Sequence, residues 1–242
     1  MRYYSQYNQD KFLDENVFKQ FKNGVFLEMG ADDGVVGSNT LFFERERGWS
    51  GLCIEPRKSA YEKLVKNRHC QTTNIAISSN KATTKKFIEA PGDMGQISGL
   101  VETFDKRYLD RLQKEASERG VTTTTIDVQT MTINDVLEKF RLSHIDYFSL
   151  DTEGGELEIL QSIDFGRFHI ECISVENPFE DKRLNNFLSN KGYKKLTRIK
   201  IDDIFILKKS IFNTYKEPLK NKYEVIMKKI KRSIKRLIGY KS

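Results

Sequence analysis

The regular alternation of short apolar runs with helical segments constrains this chain more than any other feature of its sequence. Strand-like runs lie at 24–30, 51–55, 72–78, 145–150 and 170–176. Helical segments lie at 38–47, 59–66, 132–140, 156–162 and 181–190. Strands and helices that alternate at this spacing favour a mainly parallel sheet with right-handed crossovers. We therefore expect an α/β domain with helices on both faces of the sheet, closed by an antiparallel hairpin from the runs at 193–199 and 203–208.

The stretch from 80 to 131 interrupts this pattern. It contains Pro91-Gly92, Gly95 and Gly99, followed by a charged helix at about 104–119. Segments this long inside a compact domain are often lids or substrate loops, but a purely structural excursion explains the composition equally well. We expect one domain over 1–210, with 80–131 as an insertion or lid, and a separate C-terminal segment at 211–242.

Positive charge is concentrated at the C-terminal end of the chain. Ten Lys or Arg and two Glu lie between 216 and 242, a net charge of +8 in a chain whose total is +7, so the rest carries −1. Proteins that bind nucleic acid usually concentrate positive charge around the binding surface. The nearly neutral body therefore argues against a nucleic-acid partner.

The same C-terminal segment predicts a basic amphipathic helix. Its apolar residues recur at three- and four-residue steps, as Tyr223, Ile226, Met227, Ile230, Ile234, Leu237 and Ile238. Lys and Arg fill the remaining faces, and a helix of this kind can lie on an anionic membrane surface. Docking of the apolar stripe on the domain itself or on a partner subunit is the alternative. A third alternative is that the basic residues bind nucleic acid, which the isoleucines of the apolar stripe disfavour.

The cysteines and the N-terminus indicate the compartment. Cys53, Cys70 and Cys172 lie in separate segments and form no Cys-x-x-Cys pair. An odd number of scattered thiols favours reduced cysteines and argues against a disulfide framework or a zinc site. Residues 1–11 are too polar for a signal peptide, and no apolar run approaches the ~20 residues that span a bilayer. We expect a cytoplasmic protein, peripheral at the inner face of the membrane if the basic helix binds there.

A glycine turn follows the first predicted strand, at the edge where open α/β sheets bind ligands. Gly30, Gly34 and Gly37 do not have the G-x-G-x-x-G spacing of a dinucleotide site. The acids beside them, Glu28 and Asp32 among them, would repel a pyrophosphate. S-adenosylmethionine (SAM) carries an ammonium and a sulfonium and no phosphate, so it suits an acidic turn better.

Acidic residues also close the second and fourth predicted strands. Glu55, 21 residues after Gly34, ends the second strand, where a carboxylate can accept hydrogen bonds from both hydroxyls of a ribose. The fourth strand is followed by Asp151-Thr-Glu153-Gly-Gly-Glu156, in which a carboxylate could act as a base or hold a metal. Glu156 also suits a helix N-terminus with no further role. Together with the glycine turn, these acids indicate a nucleoside ligand.

These segments resemble the FkbM family of SAM-dependent methyltransferases, in the branch that begins with a Ser-Gln…Gln-Asp motif. The similar segments follow in the family's order at 4–10 (YSQYNQD), 26–34 (FLEMGADDG), 38–41 (SNTL), 48–56 (GWSGLCIEP), 74–78 (NIAIS) and 145–156 (IDYFSLDTEGGE). The resemblance implies the Rossmann-like fold of class I methyltransferases. It also implies O-methylation, often of sugar hydroxyls in glycans or of polyketide products.

The resemblance places the functional residues within these segments. The SAM contacts that it implies are Glu28, Gly30, Ala31, Asp32, Gly34, Asn39, Glu55, Pro56, Ala76 and Asp151. It implies substrate contacts at Gln6 and Asp10, and a reaction centre bordered by Asp151 to Glu153. Many family members have Lys-Ile-Asp before the Glu-Gly pair, whereas this chain has Ser149-Leu-Asp151, so a catalytic lysine cannot be transferred to it.

We therefore expect a SAM-dependent O-methyltransferase that acts on a hydroxyl of a sugar in a glycan or glycoconjugate. The acceptor must lose a proton, and Asp151, Glu153 and His144, which precedes the fourth strand, are the candidate bases. A divalent ion could activate the hydroxyl, although no ligand pattern indicates one. The alternative functions are a non-catalytic membrane or glycan adaptor on the same fold, against which Gly30, Gly34 and Glu55 argue, and a nucleic-acid methyltransferase.

Overall fold

The strands of the protein lie close to the apolar runs that predicted them. The computed structural model describes residues 1–79, 83–104 and 106–212. Its strands are β1 (Val25–Met29), β2 (Ser50–Ile54), β3 (Gln71–Thr73), β4 (Ala76–Ile77), β5 (Thr84–Glu89), β6 (Gly99–Leu100), β7 (Thr124–Met131), β8 (His144–Leu150), β9 (His169–Glu176), β10 (Tyr193–Ile199) and β11 (Asp202–Leu207). Its α-helices are α1 (Gln9–Phe12), α2 (Leu41–Arg47), α3 (Lys58–Asn67), α4 (Lys106–Arg119), α5 (Ile133–Lys139), α6 (Glu156–Ser162) and α7 (Lys182–Asn190).

Seven of these strands form one sheet in the order β10-β11-β9-β8-β1-β2-β3. The pairs among β1, β2, β3, β8 and β9 are parallel, whereas β11 runs antiparallel to both β9 and β10. The chain builds outward from β1 to β2 and β3, then returns to the other side of β1 for β8 and β9. The Rossmann-like α/β fold and its C-terminal hairpin are therefore confirmed, with a topological switch point between β1 and β8.

Both faces of this sheet are buried. Successive side chains of a strand point to opposite sides, and each side packs against helices. On one face, Leu27 belongs to a core that includes α5, α6 and α7. On the other face, Phe26 belongs to a second core, with α2, α3 and the π-helix Leu13–Phe18. Helices thus cover both faces, as the alternating sequence pattern predicts.

The predicted third strand is two separate strands. The side-chain amide of Asn74 donates hydrogen bonds to the main-chain oxygens of Glu55 and Pro56, at 2.8 and 2.9 Å. This contact turns the chain after β3, and β4 pairs with β7 instead of the main sheet. The single strand expected over 72–78 was wrong because a side-chain hydrogen bond bends it in the middle.

The insertion is more regular than its composition predicts. Its strands β5, β6 and β7 join β4 in a second sheet with the order β4-β7-β5-β6. Helix α4 lies where the charged helix was expected, and Leu112 and Ala116 of that helix pack with Met94 and Ile97 in a small core. The insertion is therefore a folded layer beside the main sheet.

The predicted basic helix lies outside the described residues, except for Ile211 and Phe212. Phe212 is buried and makes edge contacts with the rings of Phe18 and Phe21. Within the described part of the chain, no helix has the length and hydropathy needed to cross a membrane.

Candidate functional site

A cavity of about 300 Å³ opens at the carboxyl ends of β1, β2 and β8. This is the switch point of the main sheet, and the volume falls at the lower end of the range for ligand pockets. Residues of the insertion cover its outer side, including Phe87, Met94, Ile97, Leu100 and Thr103. The predicted residues that line the cavity are Gln6, Glu28, Gly30, Ala31, Asp32, Asn39, Glu55, Pro56, Ala76, Asp151 and Glu153.

Gly30 lets the ends of β1 and β8 approach each other. It has φ +76°, and a Cβ there would lie 1.9 Å from the main-chain oxygen of Asp151. Only glycine fits this combination of backbone angle and close contact. Gly34 differs, because its neighbours are the side chains of Leu64 and Arg68 and it does not line the cavity. The contact of Gly34 with the ligand therefore stays a prediction, and this glycine packs against the C-terminal end of α3.

Glu28 fixes the loop that leads into α2. Its carboxylate accepts hydrogen bonds from the Ser38 hydroxyl at 3.1 Å, the Asn39 main-chain nitrogen at 2.8 Å and the Thr40 hydroxyl at 2.7 Å. Arg68 pairs with it at 3.1 Å. Glu28 lines the cavity, but these contacts already use both of its oxygens, so we assign it to the support of the loop.

Asn39 is held in the cavity wall by this loop. Its side-chain nitrogen donates to the Ser149 hydroxyl at 2.9 Å. Its side-chain oxygen is buried and has no hydrogen-bond partner among the described residues. A buried acceptor without a donor is costly, so this oxygen is suited to receive a hydrogen bond from a bound ligand. Ser149 serves as the anchor of Asn39.

Glu55 is part of a buried charge network at the end of β2. One oxygen accepts from the Asp32 main-chain nitrogen at 2.9 Å, and the other accepts from the main chain and the guanidinium of Arg57 at 2.9 and 3.1 Å. Arg57 also pairs with the Asp32 carboxylate at 2.6 Å. Burial raises the pKa of Glu55, and the charge of Arg57 opposes that shift. Among the described residues, the oxygen that accepts from Asp32 has one hydrogen bond, whereas each oxygen of Glu28 has at least two, so Glu55 can accept a further one.

Three carboxyl groups converge where β8 and β9 end. Oxygens of Asp151, Glu153 and Glu176 all lie within 4.8 Å of one another and line the cavity. One carboxylate oxygen of Glu153 is buried without a hydrogen-bond partner in the described structure, and Glu153 itself is 8% exposed. Glu176 was not predicted as a site residue, although it ends a buried strand as Glu55 and Asp151 do.

Asp151, Glu153 and Glu176 form an acidic group, and two of its members have raised pKa values. Burial raises the pKa of Asp151 well above its usual range, and the charges of Glu176 and Asp202 and a hydrogen bond with Glu176 raise it further. Burial and the charge of Asp151 likewise raise the pKa of Glu153, whereas Arg111 of helix α4 lowers it. Coupled carboxyls of this kind exchange protons as a group and can accept one from a neighbouring molecule.

Glu156 shapes the turn after β8. One carboxylate oxygen accepts from the main-chain nitrogens of Thr152 and Gly154 at 3.1 and 2.9 Å, and from the Thr152 hydroxyl at 2.9 Å. These contacts hold the turn that carries Glu153, which has φ 55°. Glu156 therefore positions the acidic group, in keeping with its interpretation as a helix N-terminal acid.

His144 is far from this cavity. It begins β8, so the strand separates it from Asp151 by about 20 Å at the usual rise per residue. Its side chain is 49% exposed and contacts Asp146. The proposal of His144 as a base was wrong, because a residue that precedes a parallel strand lies at the edge opposite the ligand.

Of the two residues predicted from the N-terminal motif, Gln6 lines the cavity and Asp10 has a structural role. Asp10 is fully buried, and its carboxylate accepts from the Tyr4 main-chain nitrogen at 2.6 Å and the Ser5 hydroxyl at 2.5 Å. The expectation that Asp10 contacts substrate was wrong, since those contacts fold its own segment. Ser5 bridges to Gly37, and this pairing brings Gln6 to the cavity wall.

Sequence reasoning missed three basic residues that line the cavity, which are Arg57, Arg111 and Arg119. Arg57 directly follows the Glu55-Pro56 pair, so its position in the sequence could have predicted that it lies at the site. Arg111 comes from the insertion, and no local pattern relates α4 to the ends of β8 and β9. Its charge acts on Glu153 and Glu176, which gives the insertion an electrostatic link to the acidic group.

Comparison with known proteins finds methyltransferases. The family model described as methyltransferase FkbM domain matches residues 28–195, well over half of the chain. The methyltransferase sdnD of Sordaria araneosa is 24% identical over 197 residues, which cover 71% of this chain and 74% of sdnD.

Solved methyltransferase structures are similar at lower identity. M. capricolum TrmK, in complex with S-adenosyl-homocysteine, is 14% identical with a TM-score of 0.39, covering 82% of this chain and 69% of TrmK. A methyltransferase from Pyrococcus furiosus is 14% identical with a TM-score of 0.39, covering 83% of this chain and 81% of that one.

Proposed function

The chain belongs to the FkbM methyltransferase family and is a SAM-dependent methyltransferase, and we propose that it methylates a hydroxyl of a sugar in a glycan or glycoconjugate. The observation that carries this proposal is the convergence of Asp151, Glu153 and Glu176 in the cavity at the sheet's switch point. A neutral hydroxyl is a weak nucleophile and must lose its proton during transfer. Carboxyls with raised pKa values are suited to take that proton near neutral pH.

The SAM side of the cavity is assigned to the ends of β1 and β2. Glu55 accepts hydrogen bonds from the ribose hydroxyls, beside Pro56, Asp32 and Ala76. The oxygen of Asn39 that lacks a partner receives a hydrogen bond from the SAM ammonium. Gly30 and Ala31 bring the backbone close to the methionine part of SAM. SAM held by these residues would supply its methyl group to an acceptor beside the ends of β8 and β9.

The acceptor side is assigned to the acidic group and the insertion. In the transfer, the bond between the methyl carbon and the SAM sulfur breaks as the bond from carbon to acceptor oxygen forms, leaving S-adenosylhomocysteine. The hydroxyl proton passes to Asp151, with Glu153 as the second candidate. Alignment and exclusion of water contribute most to such a displacement, and the insertion over the cavity supports both. Gln6 offers a further hydrogen-bonding group to a polyhydroxylated acceptor.

The assignment of Asp151 is tested by Asp151→Asn. We expect this variant to bind SAM with unchanged affinity, because it keeps the shape beside Gly30, and to lose at least nine-tenths of its turnover. Calorimetric titration with SAM and a radiolabelled methyl-transfer assay measure the two effects separately. Near wild-type turnover would remove Asp151 from the role of base and direct attention to Glu153.

The sugar acceptor is tested by a panel of free sugars, lipid-linked glycans and nucleotide sugars, each incubated with radiolabelled methyl-SAM. We expect transfer to at least one of these, with the label stable to base, as an ether is. Transfer of the label to RNA or DNA in a parallel incubation, and to none of the sugars, would contradict the proposal.

We also propose a peripheral association with the cytoplasmic face of an anionic membrane. The support is the sequence of 216–242, with ten Lys or Arg around an apolar stripe. A lipid-linked acceptor would then be presented at the surface where the enzyme is held.

A further inference from the structure

The neighbouring strands β8 and β9 begin with the same pattern of residues. β8 starts His-Ile-Asp at 144–146, and β9 starts His-Ile-Glu at 169–171. The strands are parallel, and their first residues are directly paired. Because strand side chains alternate between faces, each histidine shares a face with the acid two residues on. Two imidazoles and two carboxylates therefore meet on one surface, at the edge of the sheet opposite the cavity.

The two imidazoles are close and nearly parallel. The rings of His144 and His169 stack with centroids 5.1 Å apart and planes at 10°. His144 contacts Asp146 at 3.1 Å, and His169 contacts Glu171 at 2.8 Å. A ring nitrogen of each histidine and a carboxylate oxygen of Glu171 all lie within 4.8 Å of one another. Three potential ligand atoms thus surround one point.

Glu171 supplies an independent sign that this point accepts a ligand. It is only 4% exposed, and its second carboxylate oxygen is buried without a hydrogen-bond partner in the described part of the chain. A buried charged oxygen without a donor or cation is expensive. By contrast, the second oxygen of Asp146 accepts a hydrogen bond from the Val25 main-chain nitrogen at 2.8 Å. The unsatisfied charge therefore lies on the residue nearest His169.

We propose that His144, His169 and Glu171 bind a divalent transition-metal ion, for which zinc is the test ion. Imidazole nitrogens and carboxylate oxygens are common zinc ligands, with bonds of about 2.0–2.2 Å. Two imidazoles distinguish this site from the acidic group in the cavity, whose oxygen ligands alone do not select a transition metal. The half-exposed histidine rings give the ion access and can rotate to close the remaining distance. Water completes the coordination.

The ion joins the starts of two central strands. The site lies about 20 Å from the cavity along β8, so it takes no part in methyl transfer and does not depend on the proposed function. A bound ion would stabilise the folded chain, because the unfolded chain does not hold the three ligands together. The metal site would therefore stabilise the sheet and lie far from the site of methyl transfer.

The test uses the full chain, freed of metal and titrated with zinc against a chromophoric chelator. We expect one zinc ion per chain, and at least tenfold weaker binding in His144→Ala and in His169→Ala. His69→Ala is the matched control, because the chain has three histidines and His69 lies outside the site. Cys70→Ser controls for binding by a thiol. Both control variants should bind zinc as the wild type does.

Imidazole NMR signals locate the ion without mutation. Zinc should shift the signals of two of the three histidines and leave His69 unchanged. SAM affinity and circular dichroism establish that each variant is folded. Undiminished zinc binding in both His144→Ala and His169→Ala would overturn the site. So would loss of binding in His69→Ala or Cys70→Ser.

Discussion

At the scale of single residues, the proposed contact between Glu55 and the SAM ribose makes a direct prediction. Replacing it with Gln keeps its size but removes the charge that strengthens hydrogen bonds from the ribose hydroxyls and from Arg57. Charge-assisted hydrogen bonds contribute about 1.5–3 kcal/mol, so we expect SAM affinity to fall at least tenfold. Calorimetric titration measures this. Glu62→Gln, an exposed change of equal charge on α3, is the control, and equal SAM affinities in the two variants would refute the ribose assignment.

Glu153 links the chemistry of the cavity to the stability of the protein. Its pKa in the folded state is raised above the usual 4.5, so the folded chain keeps a proton that the unfolded chain releases. Stability is therefore lost as the pH rises from about 4.5 through the folded pKa. We expect Glu153→Gln, without SAM, to melt higher than the wild type at neutral pH. A gain of about 1 kcal/mol corresponds to about 2–4 °C for a chain of this size.

The difference between Glu153→Gln and the wild type should vanish below pH 4.5, where both states of the wild type hold the proton. Thermal scans across the pH series measure it, with Glu62→Gln as a comparison. A variant less stable than the wild type at neutral pH would show that Glu153 stabilises the fold as an anion, contrary to its burial.

The site residues that sequence could identify are those next to strand ends. Glu55, Asp151 and Gly30 follow apolar runs directly, and parallel strands bring their carboxyl ends to one edge. The same rule should have excluded His144, which comes before its strand. Glu28 contacts Arg68, 40 residues along the chain, so its structural role depends on how the loops fold back. No local pattern reports such contacts.

At the scale of elements, the main sheet and helix α4 were predictable, and the second sheet was not. Long buried strands such as β8 and β9 are rich in apolar residues along their length. The second sheet includes strands of two residues, β4 and β6, whose pairing is set by contacts with β7 and β5. Strands that short carry no periodicity, and only tertiary packing defines them.

Helix α4 of the insertion is expected to tune the acidic group. Arg111 lowers the pKa of Glu153, so Arg111→Gln should raise it and move the acidic limb of the turnover profile to higher pH. We expect a several-fold loss of kcat at neutral pH, regained at higher pH, with SAM affinity unchanged. The pH dependence of kcat measures this. Lys114→Gln on the same helix removes an exposed charge paired with Glu118, and matching profiles for the two variants would exclude an active-site role for α4.

At the scale of the whole molecule, charge separates the body from the C-terminal segment. We expect the full chain to sediment with anionic vesicles at low salt and to ignore neutral ones, because each Lys or Arg near such a surface contributes about 1 kcal/mol. A chain that ends at Tyr215 should lose this binding and keep SAM affinity. Equal sedimentation of the two chains would show that residues 216–242 do not bind the membrane.

The two ends of the insertion meet. The main-chain nitrogen of Ser78, where the chain enters it, donates to the oxygen of Met131, where the chain leaves, at 3.0 Å. A segment whose ends are adjacent can be lengthened, shortened or exchanged without moving the sheet beneath it. A change of acceptor would thus require remodelling of this module alone, with the ends of β1 and β2 left in place.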